Sequence, residues 1–210
     1  MTKIKLCGIT HTSEILEVNR LAPEYIGFVF WEKSRRNLKK DEAAWLKSHL
    51  DKGIKAVGVF VDPDPEFVAD LVNSGIIDMV QLHGNEDEDH IRTLRELLPE
   101  GTEIIKAFKV ESEEEALRAE ASGADHILFD PGRGDGQSFD WKILKNVKRQ
   151  YFLAGGLNCD NISEAVNTLK PFAVDVSSGI ETRGLKDTAK MTEFVNIVRN
   201  CYAGEEGYND

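Results

Sequence analysis

Cys7 closes the run Lys3-Ile-Lys-Leu-Cys7, and Gly8 follows it at once. An ionised thiol is a base and a nucleophile, but a cysteine within a strand also serves as a small buried hydrophobe. Both readings start from the same alternation. In a strand Lys5 shares a side with Cys7, and Ile4 and Leu6 share the other. The apolar pair belongs against helices, so Lys5 and Cys7 are expected to face an enclosed interior. A lysine there needs a carboxylate, and Asp175 in the strand-like run Ala173-Val-Asp-Val176 is the candidate partner. The ammonium is expected to favour the thiolate at Cys7.

Other residues offer complementary chemistry. Asp130 ends Asp125-His-Ile-Leu-Phe-Asp130 and precedes Pro131. It reads either as a turn residue or as a carboxyl group with a raised pKa, poised as a general acid. Lys33, Arg35 and Arg36 form a basic cluster in an acidic chain: a solvated loop, or an anion site built on arginine's planar fork. His83 ends Val80-Gln-Leu-His83 and reads as a structural imidazole or a substrate contact. Glycines gather in Pro131-Gly-Arg-Gly-Asp-Gly136, in Ala154-Gly-Gly-Leu157 and in Ser177-Ser-Gly179. Such turns expose backbone N–H groups to phosphate. Asp62 and Asp64 read as turn and helix-cap residues, and Cys159 as a thiol made reactive by a helix start. No His, Cys and carboxylate set has metal-ligand spacing, so no metal is expected.

Composition narrows the partners. Lys and Arg total 26 against 37 Asp and Glu, a net charge of −11. That balance disfavours nucleic acid and anionic membranes as partners. Three cysteines without Cys-x-x-Cys spacing suit a reducing compartment, and no signal pattern or long apolar run is seen, so a cytoplasmic location is expected.

The elements that must position these groups are legible as eight β-branched runs alternating with helical patterns. The strand runs begin at Lys3, Tyr25, Lys55, Asp78, Glu103, Asp125, Tyr151 and Phe172, and helical patterns begin at Asp41, Pro65, Asp87, Ser112, Asn158 and Asp187, several with a cap residue at the front. Repeated strand–helix units imply parallel strands. An open dinucleotide-binding sheet would show Gly-x-Gly-x-x-Gly after its first strand, and this chain has Cys7-Gly-Ile-Thr-His11 there. The expectation is an α/β fold, a single-domain (β/α)8 TIM barrel over residues 1–202, with a frayed tail over 203–210. After the sixth strand, residues 140–147 allow about two helical turns at most. Barrel chemistry sits at the C-terminal strand ends, and phosphate sites commonly form after strands seven and eight. Cys7, Asp130, His83 and the glycine loops hold those places. Asp78 and Asp125 begin strands and are discounted.

The motifs Leu6-Cys-Gly-Ile-Thr10, Gly27-Phe-Val-Phe-Trp-Glu-Lys-Ser-Arg-Arg36, Val80-Gln-Leu-His-Gly84, Asp130, Leu153-Ala-Gly-Gly-Leu-Asn158 and Ala173-Val-Asp-Val-Ser-Ser-Gly-Ile-Glu181 together resemble the phosphoribosylanthranilate isomerase family of tryptophan biosynthesis. The resemblance runs from Lys3 to Asp187. It implies an Amadori rearrangement of N-(5-phosphoribosyl)anthranilate without cofactor or metal. It further implies Cys7 as general base, Asp130 as general acid and Arg36 as the binder of the anthranilate carboxylate, with Gly8 expected to leave room for substrate beside the thiol. His83 is placed among the substrate contacts. Gly134, Gly136, Gly155, Gly156, Ser178 and Gly179 resemble the phosphate cradle. The expected partner is a small phosphosugar, with no nucleic acid or membrane, and the chain is expected to be a monomer or homodimer. The family loop usually reads Gly-Gly-[Ser/Thr]-Gly where this chain has Arg133-Gly-Asp-Gly136. A carboxylate beside phosphate is repulsive unless it points away. Arg35 before Arg36 is a second departure, expected to be benign. The rival expectations are a related phosphosugar isomerase, with an acid where Cys7 stands, and a non-catalytic phosphosugar-binding barrel.

Overall fold

A computed structural model describes residues 1–130 and 141–201. Eight parallel strands close into a barrel in sequence order: β1 (Lys3–Cys7), β2 (Tyr25–Phe30), β3 (Lys55–Phe60), β4 (Met79–Leu82), β5 (Glu103–Phe108), β6 (His126–Phe129), β7 (Tyr151–Leu153) and β8 (Ala173–Val176). Closure is made by β1 against β8, with Lys5 opposite Asp175. Helices α1 (Thr12–Leu21), α2 (Lys40–Ser48), α3 (Pro65–Asn73), α4 (Glu88–Leu97), α5 (Glu113–Ala119), α6 (Ile162–Leu169) and α7 (Thr188–Asn200) follow their strands outside. A short hairpin, β9 (Glu181–Thr182) with β10 (Leu185–Lys186), precedes α7. No helix among the described residues is long and apolar enough to cross a membrane.

Several helix starts were written into the chain. Asp64 accepts from Glu66 N at 3.0 Å, Asp87 from His90 N at 2.9 Å, and Asp187 from Ala189 N at 3.0 Å, each satisfying an orphan donor. The helical pattern from Asn158 is only partly realised, because α6 begins at Ile162. The Asn158 side chain accepts from Asp160 N at 2.8 Å, and Asn161 donates to Gly156 O at 3.0 Å. These side chains offer the backbone a turn in place of a helix. Between β6 and β7 the described residues hold one 3-10 turn, Trp141–Leu144. The expected tail at 203–210 lies outside the described residues.

Two apolar layers stabilise the barrel. Ile4, Leu6, Ile26, Phe28, Val80 and Ile104 belong to the layer beneath the helices. Tyr25, Val57, Met79, Ile105, Leu128, Phe152 and Ala173 fill the barrel interior. Alternation at period 2 therefore divides each strand between two cores. One step further along the same inward-facing parity come Cys7, Val29, Val59, Gln81, Asp130, Ala154 and Asp175, which line the cavity above the interior core. The register of the apolar residues thus decides which polar residues meet.

Candidate active site

The C-terminal strand ends enclose a cavity of about 360 Å³, within the roughly 300–1,000 Å³ of small-molecule sites. It gathers Cys7, Arg36, His83, Asp130, Gly155, Gly156 and Ser178, which the sequence had singled out separately. Gln81, Asp175 and Ser177 complete its polar lining.

Cys7 sits at the end of β1, opposite Gly27. Lys5, fully buried beneath it, donates to Asp175 Oδ2 at 2.8 Å, the pairing expected from strand adjacency. Burial pulls the Lys5 ammonium down, but Asp175, joined by Cys7 when it ionises, outweighs burial and holds the Lys5 pKa above the ordinary value. Lys5 does favour the thiolate at Cys7, as expected, but burial outweighs it. Burial pushes the thiol up, Lys5 pulls it down, and Asp175 pushes it up again, leaving it above its ordinary value. Burial prevails over Lys5, so the resting side chain is a thiol. Asp175 Oδ1 is buried without a hydrogen-bond partner among the described residues and belongs to a residue of the cavity wall. It is an acceptor in want of a donor.

Asp130 N bonds to Phe108 O at 3.0 Å, fixing the carboxyl group as it leaves β6. His83 Nε2 lies 3.3 Å from Asp130 Oδ2. The other ring nitrogen, Nδ1, is 2.9 Å from Gln81 Nε2. With the amide donating to Nδ1, the proton of a neutral ring resides on Nε2 and points at Asp130. Gln81 faces inward from the same strand as His83, two residues back, and is buried; strand parity alone would have found it. The loop beyond His83 is fastened by Glu86, which accepts from Asp62 N at 2.8 Å, Gly84 N at 2.9 Å and Lys106 Nζ at 2.8 Å.

Arg36 reaches the cavity from the loop after β2. Gly8 was expected to leave room for substrate; the structure gives that room to Arg36. A Cβ at Gly8, whose φ is +80°, would stand 2.3 Å from Arg36 Cδ. Arg36 donates through Nε and Nη2 to Glu181 at 2.7 and 2.9 Å. Arg35 also donates to Glu181, at 2.5 Å, so it takes part in this cluster. Lys186, buried by the hairpin, reaches Glu181 at 2.8 Å and Ser177 O at 2.9 Å. The sequence reading missed Glu181 and Lys186. No local signal marked them, because their partner arginines follow the second strand, 145 residues from Glu181 in the case of Arg36.

Gly155 and Gly156 adopt φ of +82° and +68°, so the turn after β7 follows a path that favours glycine. Ser178 lies beside them on the cavity wall. Gly179 is packed behind that wall, where a Cβ would come 1.9 Å from Leu157 O; its lack of a side chain lets the two loops meet. Gly134 and Gly136, with Arg133 and Asp135, lie outside the described residues. Cys159 is no activated thiol: burial raises its pKa, Glu193 and Asp160 raise it further, and α6 starts three residues later. Among the described residues no group of His, Cys, Asp and Glu has the arrangement of a metal site.

Comparison with known proteins agrees with this geometry. A model of the family N-(5'-phosphoribosyl)anthranilate (PRA) isomerase matches residues 4–197. The N-(5'-phosphoribosyl)anthranilate isomerase of Endomicrobium trichonymphae is 42% identical over 205 residues, 95% of this chain and 100% of that protein. Among solved structures, monomers generated from the dimeric phosphoribosylanthranilate isomerase of Thermotoga maritima share 33% identity with a TM-score of 0.83, covering 95% of this chain and 100% of that one. A phosphoribosylanthranilate isomerase in complex with reduced 1-(o-carboxyphenylamino)-1-deoxyribulose 5-phosphate shares 32% identity with a TM-score of 0.82, at the same coverage.

Proposed function

The chain belongs to the N-(5'-phosphoribosyl)anthranilate isomerase family, and from that premise we propose how its residues divide the reaction. The enzyme converts N-(5-phosphoribosyl)anthranilate to 1-(2-carboxyphenylamino)-1-deoxyribulose 5-phosphate. The observation that carries the assignment of roles is that one cavity collects a thiol, a carboxyl group, an arginine and two glycine-bearing loops at strand ends.

Asp130 is the general acid. It protonates the ring oxygen as the C1'–O4' bond breaks toward oxygen, and the nitrogen lone pair forms the C1'=N bond. His83, held by Gln81, orients that carboxyl group. The iminium acidifies the C2' hydrogen, and Cys7 as thiolate removes it. The C–H electron pair becomes the C1'=C2' bond, and the C=N pair returns to nitrogen. The enolamine then ketonises: C1' gains a proton and O2' loses one. Asp175 Oδ1 is the acceptor for a ribose hydroxyl. Arg36 takes the anthranilate carboxylate, and backbone N–H groups about Gly155, Gly156 and Ser178 take the phosphate. Only ionised Cys7 reacts, so kcat/KM rises with pH toward the elevated thiol pKa. A monomer or homodimer is proposed, and the dimeric Thermotoga relative supports the homodimer; sedimentation distinguishes the two.

Turnover of N-(5-phosphoribosyl)anthranilate, followed by anthranilate-type fluorescence, tests these roles. Wild type is expected to react. Cys7→Ser and Asp130→Asn are each expected to stay folded and lose about 10²- to 10⁴-fold in kcat. Full activity in either folded variant removes that residue from its role.

A further inference from the structure

Glu181 has an unusual concentration of partners for one carboxylate. It is buried, with 4% of its side chain exposed, and meets three cations: Arg36 through two bonds, Lys186 and Arg35. One negative charge against three positive charges leaves an excess at the cavity edge that suits a second anion. Arg36 is the cation of this set that also lines the cavity. Its Nε–Nη2 edge is spent on Glu181. A guanidinium is planar and rigid, so fixing one edge fixes the direction of the other.

The backbone is shaped around this clamp. Gly8 clears the Arg36 stem, as described above. Gly184, with φ of +86° at the hairpin turn, clears Arg35 Nη1, which a Cβ would approach to 2.9 Å. Lys186 lies opposite Glu181 in the β9–β10 pair and ties the carboxylate to Ser177 O. The hairpin therefore builds a rigid backstop behind Arg36.

We propose that Glu181 is a positioning residue for the substrate's aryl carboxylate: it holds Arg36 by one edge so that the other is presented to the cavity, and it thereby sets selectivity for an ortho-carboxylated N-aryl group. This inference rests on Arg36 being the carboxylate binder. The opposite arrangement is also physically distinct: a Glu181 that competes with substrate for Arg36 would weaken binding, and its removal would tighten it.

Two stable ligands separate these cases by titration calorimetry: reduced 1-(2-carboxyphenylamino)-1-deoxyribulose 5-phosphate and its phenylamino counterpart, which lacks the ring carboxylate. Wild type is expected to prefer the carboxylated ligand. Arg36→Met is expected to abolish the preference. Glu181→Gln is expected to weaken the carboxylated ligand about tenfold, one misaligned charge-assisted bond, and to leave the phenylamino ligand unchanged. If Glu181→Gln does not fold, Glu181→Asp serves, since it keeps the charge facing Lys186 and shortens the arm by one methylene; the same selective loss is expected. An unchanged or increased preference in the Glu181 variants, or equal weakening of both ligands, overturns the proposal. A preference that survives in Arg36→Met overturns instead the carboxylate role of Arg36 on which it rests.

Discussion

Gly27 stands directly opposite Cys7 across the β1–β2 pair, and a Cβ placed on Gly27 would lie 2.6 Å from the Cys7 sulfur. The position of the thiol is thus set by an absent side chain on the neighbouring strand. A side chain at Gly27 would therefore push the sulfur away, toward the cavity that Cys7 lines.

Gly27→Ala is therefore expected to displace Cys7 Sγ. Overpacking of this kind costs about 1–3 kcal/mol of stability. The larger effect should be on rate, because a displacement of about 1 Å at a reacting group costs on the order of 10²-fold. Urea unfolding and kcat measured on the same variant check both. A variant with normal kcat would show that the thiol tolerates another position.

Lys5→Met removes the cation that lowers the Cys7 pKa most, keeps the lesser effect of Lys186, and leaves Asp175, which raises it. The thiol pKa should move up, and the rising limb of kcat/KM should shift to higher pH. Thiolate absorbance titration reads the first and a pH–rate profile the second. Breaking a buried pair also costs about 3–5 kcal/mol, so the measurements belong well below the melting temperature. An unmoved thiol pKa contradicts the electrostatic link between Lys5 and Cys7.

Gln81 carries a buried carbonyl oxygen with no hydrogen-bond partner among the described residues, an arrangement that costs about 1–3 kcal/mol. Its amide nitrogen is what holds His83 Nδ1. Gln81→Leu, close in volume, is expected to be at least as stable as wild type and about tenfold slower in kcat, with little change in KM. Thermal melts and steady-state kinetics check the pair of outcomes. A stable variant with unchanged kcat would make the Gln81–His83 contact dispensable for Asp130.

Acid should expose the Glu181 cluster. Burial raises the Glu181 pKa, but bonds from Arg36 and Lys186 lower it by more, so the folded value lies below the unfolded one. Its contribution to stability is full above the unfolded carboxylate value, roughly 4.3, and is lost as pH falls through the lower folded value. The stability gap between wild type and Glu181→Gln is expected to narrow through that window and not above it. Urea midpoints from pH 7 to pH 3 measure the gap; a constant gap contradicts the linkage.

The sequence carried the architecture because its signals are local and periodic. Alternation in Lys3–Cys7 separated Ile4 and Leu6 from Lys5 and Cys7, and the structure places the two pairs on opposite faces. Cap residues marked α3, α4 and α7. Order along the chain placed Cys7, His83, Asp130 and the two late glycine loops at one end of the barrel, since every parallel strand points the same way. Lys5 could even be matched to Asp175, because closing the barrel makes the first and last strands neighbours.

What the sequence could not carry were interactions decided by direction and distance between segments far apart in the chain. Gly8 read as space for substrate, and only the path of the Arg36 stem assigns that space to an arginine. The sign of the Cys7 shift depended on whether burial or Lys5 prevails, which is a matter of three-dimensional surroundings. Arg36 and Glu181 are 145 residues apart, and no local pattern announces their bond. The chain by itself determined the fold, the face that holds the chemistry and the residue types that perform it. The tertiary structure alone decided which of those groups pair, because Coulomb and hydrogen-bond energies depend on separations of a few ångströms that strand register and loop packing create.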